Sequence, residues 1–84
     1  MTELFYYIID TTSPAEHRAM LRTYSEMAVT REPLALANRT LADKIADMVC
    51  EYDDDNGTDY ADEVDLNDLF ADLLGFIPFS SYQL

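Results

Sequence analysis

Apolar residues recur along this chain in blocks separated by short polar breaks, and each block predicts an element. Leu4-Phe5-Tyr6-Tyr7-Ile8-Ile9 is dense in aromatic and β-branched residues and stops at Asp10-Thr11-Thr12. That composition predicts a short strand, with a buried helical turn as the alternative. Ser13-Pro14-Ala15-Glu16 then marks a helix start. The Ser hydroxyl can accept from a free N–H, Pro suits the first helical position, and Glu three residues on completes a capping box. His17, Leu21, Tyr24 and Ala28 follow at helical spacing with Met20 and Met27 beside them, so a helix is expected over about 14–29.

Pro33 opens a second helix expected to run to about Tyr52, with Asn38-Arg39-Thr40 as the place where it can break. At about 100° per residue, Leu41, Ile45, Met48, Val49 and Tyr52 share one face, widened by Ala42, Ala46 and Cys50. Asp43, Asp47 and Glu51 line the opposite side. Asp53-Asp54-Asp55-Asn56-Gly57 has the composition of a turn-forming loop. A third helix follows, capped by Asp59 or Asp65, with Leu66, Leu69, Phe70 and Leu73 inward, Asp65, Asp68 and Asp72 outward, and Gly75 as terminator. The tail from Phe76 to Leu84 is too apolar to stand free, so it is expected to pack on the helices or beside the N-terminal segment. The expected fold is mainly α: a small bundle of about three helices in a single domain over 1–84, with a short N-terminal strand pairing with the C-terminal segment.

Charge changes this picture more than length does. The 84 residues carry 17 acids against 5 Lys and Arg, a formal net charge of −12. Residues 43–72 hold twelve of those acids and a single cation, Lys44, whereas residues 1–42 are nearly balanced and residues 73–84 carry no charged side chain. Such asymmetry implies one strongly negative face. It argues against direct binding to nucleic acid or to an anionic membrane, whose phosphates repel it. With no apolar run near 18 residues and Glu3 where a signal peptide carries positive charge, the expected location is the cytoplasm.

Asp43, Asp47 and Glu51 stand at i, i+4 and i+8, spanning about 12 Å. Like charges at i,i+4 repel by roughly 0.2–0.5 kcal/mol per pair, and Asp43/Asp47, Asp47/Glu51, Asp59/Glu63 and Asp68/Asp72 all have this spacing. A solvated helix face is the plain explanation of a charge run. Against it stands the near absence of compensating cations, which folding alone gives no reason to accept. Carboxylates spaced about 5–6 Å apart on two helices approximate the charge spacing of a nucleic-acid backbone. A surface that grips phosphates with Lys and Arg would find this face attractive. In size, composition and the acidic 43–72 region the chain resembles the small acidic DNA-mimic inhibitors made by phages, among them anti-restriction and anti-CRISPR proteins. That resemblance implies an inhibitor of a host defence nuclease or CRISPR-type complex. It shares no motif with them, so no residue role is carried over.

The partner-facing residues expected on this reading are Asp43, Asp47, Glu51, Asp53, Asp54, Asp55, Asp65, Asp68 and Asp72, and the partner is a basic nucleic-acid-binding protein or complex. No catalytic residue, metal ligand or cofactor site is assigned. An EF-hand frame puts Gly57 and Glu63 at loop positions 6 and 12 and Asp54 and Asn56 at 3 and 5, but Tyr52 occupies position 1, where Asp is required. Loose divalent association with Asp53, Asp54 and Asp55 stays open. The chain is similar to acyl carrier proteins in size and pI yet has no Asp-Ser-Leu. His17 reads as a core histidine, and Cys50 lies more than thirty residues from it with no orienting motif. An enzyme is the least favoured class. Tyr6, Tyr7, Phe76, Phe79 and Tyr82 concentrate at the two ends, where they either complete the core or build a homodimer or partner contact. The competing function is therefore a non-inhibitory adaptor or antitoxin-like module that docks through its apolar termini.

Overall fold

In the computed structural model, which describes residues 1–82, the first apolar block forms a helix, α1 (Thr2–Thr11), and not a strand. Leu4, Phe5, Ile8 and Ile9 are buried while Tyr6 is exposed, which is a helical period and not the alternation of a strand. The physical reason lies in the missing partner. The C-terminal segment expected to pair with it is turned into short 3-10 helices on either side of Pro78, so it offers no ladder of backbone groups. The β-prone block therefore satisfies its own N–H and C=O groups internally.

Five more helices follow: α2 (Pro14–Thr30), α3 (Leu34–Ala37), α4 (Arg39–Asn56), α5 (Tyr60–Glu63) and α6 (Leu66–Leu73). Two 3-10 turns, Leu74–Phe76 and Phe79–Tyr82, complete the described residues, which are 83% helical with six helices and no strand. The expected capping box is present: Ser13 Oγ accepts from the Glu16 amide and the Glu16 carboxylate accepts from the Ser13 amide. The buried stripe of α2 is His17, Met20 and Thr23, with Leu21 and Met27 half-buried; Tyr24 and Ala28, which follow His17 and Leu21 at helical spacing, are exposed.

The predicted second helix breaks at Asn38. That side chain accepts from the Leu41 amide, which caps α4, and donates to buried Thr23 of α2. The start of α3 is capped from afar, because Asn67 on α6 accepts from the Leu34 amide at 2.8 Å. The acidic run 53–56 is helical and not a loop. α4 continues through it and ends at Gly57, which adopts the left-handed conformation (φ 67°) that a helix C-cap needs. The predicted third helix is two helices, split where Val64 turns extended. Neither Asp59 nor Asp65 makes a side-chain capping bond. Gly75 lies inside a 3-10 turn without needing glycine's freedom, so it is no terminator.

The core joins Leu4, Phe5, Ile8 and Ile9 of α1 to Met20, Leu34, the Leu41/Ala42/Ile45/Met48/Val49 face of α4, and Leu69, Phe70 and Leu73 of α6. Ile77 closes it from the C-terminal side, and Phe76 packs on Phe5 and Tyr6, as expected of an apolar tail. Gln83 and Leu84, the end of that tail, lie outside the described residues. Phe79 and Tyr82 stay 77% and 51% exposed, so the tail does not bury all its aromatics.

Candidate functional site

The acidic segment 43–72 folds as α4, α5, α6 and their joints. On α4, with about 3.6 residues per turn, Asp43, Asp47 and Asp54 fall within about 40° of one another on the side away from the core. All three are exposed. Glu51 lies at the edge of that ridge nearest α1, where its carboxylate accepts from the Tyr7 hydroxyl at 3.2 Å. Partial desolvation, then Glu51 and Asp55, push the Tyr7 hydroxyl above its ordinary pKa. Asp55 is exposed too, but about 100° around the axis from Asp54, on the α1 flank beside Glu51. Asp65 opens α6, and Asp68 and Asp72 are exposed one turn apart on its outer side.

Asp53 departs from the expected set. Its carboxylate turns toward α5 and accepts from the Thr58 hydroxyl at 2.6 Å and from the Tyr60 and Ala61 amides at 3.1 and 2.9 Å. Desolvation pushes this carboxyl up, but those three bonds outweigh it and hold the pKa below the usual carboxylate range. Asp53 is thus the cap of α5, supplied from the last turn of α4. Asp59, at the same joint, has its pKa raised chiefly by the negative charge of Asp62. Because 53–55 is helical, the three Asp side chains leave the axis about 100° apart and do not converge on one ion. Among the described residues no group of three or more His, Cys, Asp or Glu is placed to hold a metal.

Few cations answer this charge. Among the described residues two ion pairs form: Arg39 with Asp43 at 3.2 Å, and Lys44 with Glu16 of α2. The Lys44 contact draws the Glu16 carboxyl below its ordinary pKa. The segment's only cation is therefore turned to an acid outside it, and eleven of the segment's twelve acids have no ion-pair partner.

Between the inner flanks of the same helices lies an apolar cleft of about 260 Å³. Ala46, Val49 and Cys50 of α4 form one wall, and Tyr60 and Ala61 of α5 form another. Val64, Leu66 and Leu69 close it on the α6 side. Nothing in the reading of the sequence pointed here. The legible signal was the run of small side chains, Ala46 and Cys50 one turn apart and Ala61 opposite, which leaves a hollow where larger residues would fill.

His17, read from the sequence as a core residue, is 4% exposed and ties three segments together. Its Nε2 lies 3.0 Å from the Ile9 carbonyl and 2.8 Å from Thr12 Oγ1, and its Nδ1 lies 2.9 Å from Ser81 Oγ. A carbonyl can only accept, so Nε2 is the donor and Nδ1 faces a hydroxyl able to donate. Ser81 is 1% exposed, and the far nitrogen meets a carbonyl and a hydroxyl instead of a carboxylate. No substrate atom can reach this pair, which acts as a pin between α1, α2 and the C-terminal turn.

Compared with protein-family models, curated proteins and solved structures, the chain matches none. No helix among the described residues is long and apolar enough to cross a membrane.

Proposed function

We propose that this chain is a small acidic interaction protein that inhibits a nucleic-acid-binding partner, a host defence nuclease or CRISPR-type complex, by presenting a DNA-like negative face. It is a binding protein and not an enzyme on this reading. The observation that carries it is the uncompensated charge on the outer sides of α4, α5 and α6, whose only Lys is turned away to Glu16. Asp47, Glu51, Asp54, Asp55, Asp65, Asp68 and Asp72 are the contacts, with Asp43 partly neutralised by Arg39. Asp53 belongs to the scaffold. A partner that grips phosphates with Lys and Arg meets carboxylates in their place, and long-range attraction speeds the encounter.

Charge reversal tests the reading. A variant carrying Asp47→Lys, Asp54→Lys and Asp68→Lys leaves every hydrogen bond named above in place. It should lose the ability to displace labelled duplex DNA from a partner captured from nuclease-treated host lysate. Binding by the unaltered chain should weaken steeply between low and physiological salt. Undiminished displacement by the triple variant refutes the proposal. The adaptor reading has one supporting observation, the exposed pair Phe79 and Tyr82, whose rings lie 6.1 Å apart. It predicts binding that is insensitive to salt and lost on Phe79→Ser.

A further inference from the structure

We infer that the cleft between α4, α5 and α6 seats a single large apolar side chain projecting from a basic segment of the partner protein, so that the acidic face attracts and the cleft selects. The inference rests on the proposed function and names what the partner must present there.

Size is the first argument. At about 260 Å³ the cleft falls below the roughly 300–1,000 Å³ of sites for drug-sized ligands, and its walls are apolar. That suits one anchoring side chain, the usual centre of a protein–protein contact. Charge is the second. Around the axis of α4, Asp47 and Asp54, neither of them ion-paired, lie within about 60° of Cys50, which lines the cleft, so the acidic ridge borders it. On the far side Asp62, Glu63 and Asp65 are all exposed beside the cleft residues Ala61, Val64 and Leu66.

A lip of this kind decides among occupants. Fatty acids and other anionic amphiphiles are repelled at the entrance. So is a second copy of this chain, which brings a further formal charge of −12 with its exposed Phe79 and Tyr82. What fits is an amphipathic helix with one Phe or Leu set among Lys and Arg, the helix-in-groove mode with an electrostatic collar. Such a segment gains speed and orientation from the collar and residence time from the anchor.

The test uses the full chain with methyl-labelled Ala, Val and Leu and two synthetic helical peptides. One is rich in Lys and Arg with a single central Phe; the other is identical except for Ala in place of that Phe. The Phe peptide should shift the methyls of Ala46, Val49 and Ala61 saturably and bind at least tenfold more tightly. Plugging the cleft should erase that tenfold and leave both peptides binding alike. Ala61→Trp is one plug. Alkylation of Cys50, the only cysteine, with N-ethylmaleimide is a second, made after folding. Equal, salt-sensitive binding of both peptides to the unaltered chain overturns the anchor and leaves the acidic-face reading standing. Preference for Phe that ignores both salt and the triple charge reversal sinks the acidic-face reading and keeps the cleft. Absence of binding by either peptide removes the inference, and methyl shifts confined to the region of Phe79 do the same.

Discussion

Two regions of this molecule treat polar groups in opposite ways. Where α1, α2 and the C-terminal turn meet, Thr12, His17 and Ser81 are buried and mutually hydrogen-bonded, and no buried side-chain polar atom among the described residues lacks a partner. Along the outer sides of α4 and α6, carboxylates stand in rows with almost no cation beside them. The first region spends its polarity on holding segments together. The second leaves most of its carboxylates without a cation inside the molecule, and the proposed function turns on that excess. α6 contains the contrast within two residues: Phe70 is fully buried and Asp68 is exposed.

That contrast is broken most strongly from the inside. Phe70→Ala removes a ring at the centre of the core and should cost about 3–5 kcal/mol. A domain of this size has a total stability near the low end of about 5–15 kcal/mol. The variant should therefore be largely unfolded at 37 °C, seen as a lost cooperative melt. A native-like melting temperature would mean that α6 is not anchored as described.

Next in size is the histidine pin. Ser81→Ala removes the hydroxyl facing Nδ1 in a site closed to water and should cost about 1–3 kcal/mol in urea denaturation. His17→Ala should cost more, since a cavity is added. The double variant should fall short of the sum of the singles by about 0.5–3 kcal/mol, as expected of residues in contact. Strict additivity would show that the two do not act together.

The acidic side responds with the opposite sign. Asp47 has carboxylates one turn before and one turn after it, at Asp43 and Glu51. Asp47→Lys turns two repulsions into attractions and should raise stability by about 1–2 kcal/mol at low salt, a gain that shrinks as salt is added. The same change should weaken partner binding. A surface shaped by folding alone would show no such trade.

How far the sequence reveals each region follows from the range of the interactions. The inward faces of α4 and α6 were legible because a 3.6-residue period is local, and so was the Ser13–Glu16 capping box. Where partners are distant, local pattern misled. Leu4–Ile9 has strand composition but no strand to pair with, so it is a helix. The Asp53–Asn56 run looks like a loop by composition, yet α4 extends through it because Gly57 supplies the stop and Asp53 caps the next helix. Asn67 capping Leu34, 33 residues away, leaves no mark on the sequence near either residue. The cleft is the same kind of feature, since its walls come from three helices and only small side chains hint at it.

The finest test falls on the α4–α5 joint, where two carboxyls are shifted in opposite directions. Asp53 is held below its ordinary value of 3.8 by bonds from Thr58, Ala61 and Tyr60, so its stabilising contribution is present above that value and is lost as pH falls through the depressed one. Asp59 is raised above 3.8 by Asp62, so its charged form strains the folded joint, and that strain lifts as pH falls through the raised value. Acidification from neutral pH should first tighten α5 and then release it. Hydrogen exchange at the Tyr60 and Ala61 amides, corrected for intrinsic rate, should therefore show protection that rises and then collapses. Asp59→Asn should remove the rise alone. Asp53→Ala should abolish protection at every pH, because those two amides lose their acceptor. A monotonic loss of protection in the unaltered chain would mean that Asp59 and Asp62 do not oppose each other, and that the negative charge at this end of the cleft is more dilute than the geometry describes.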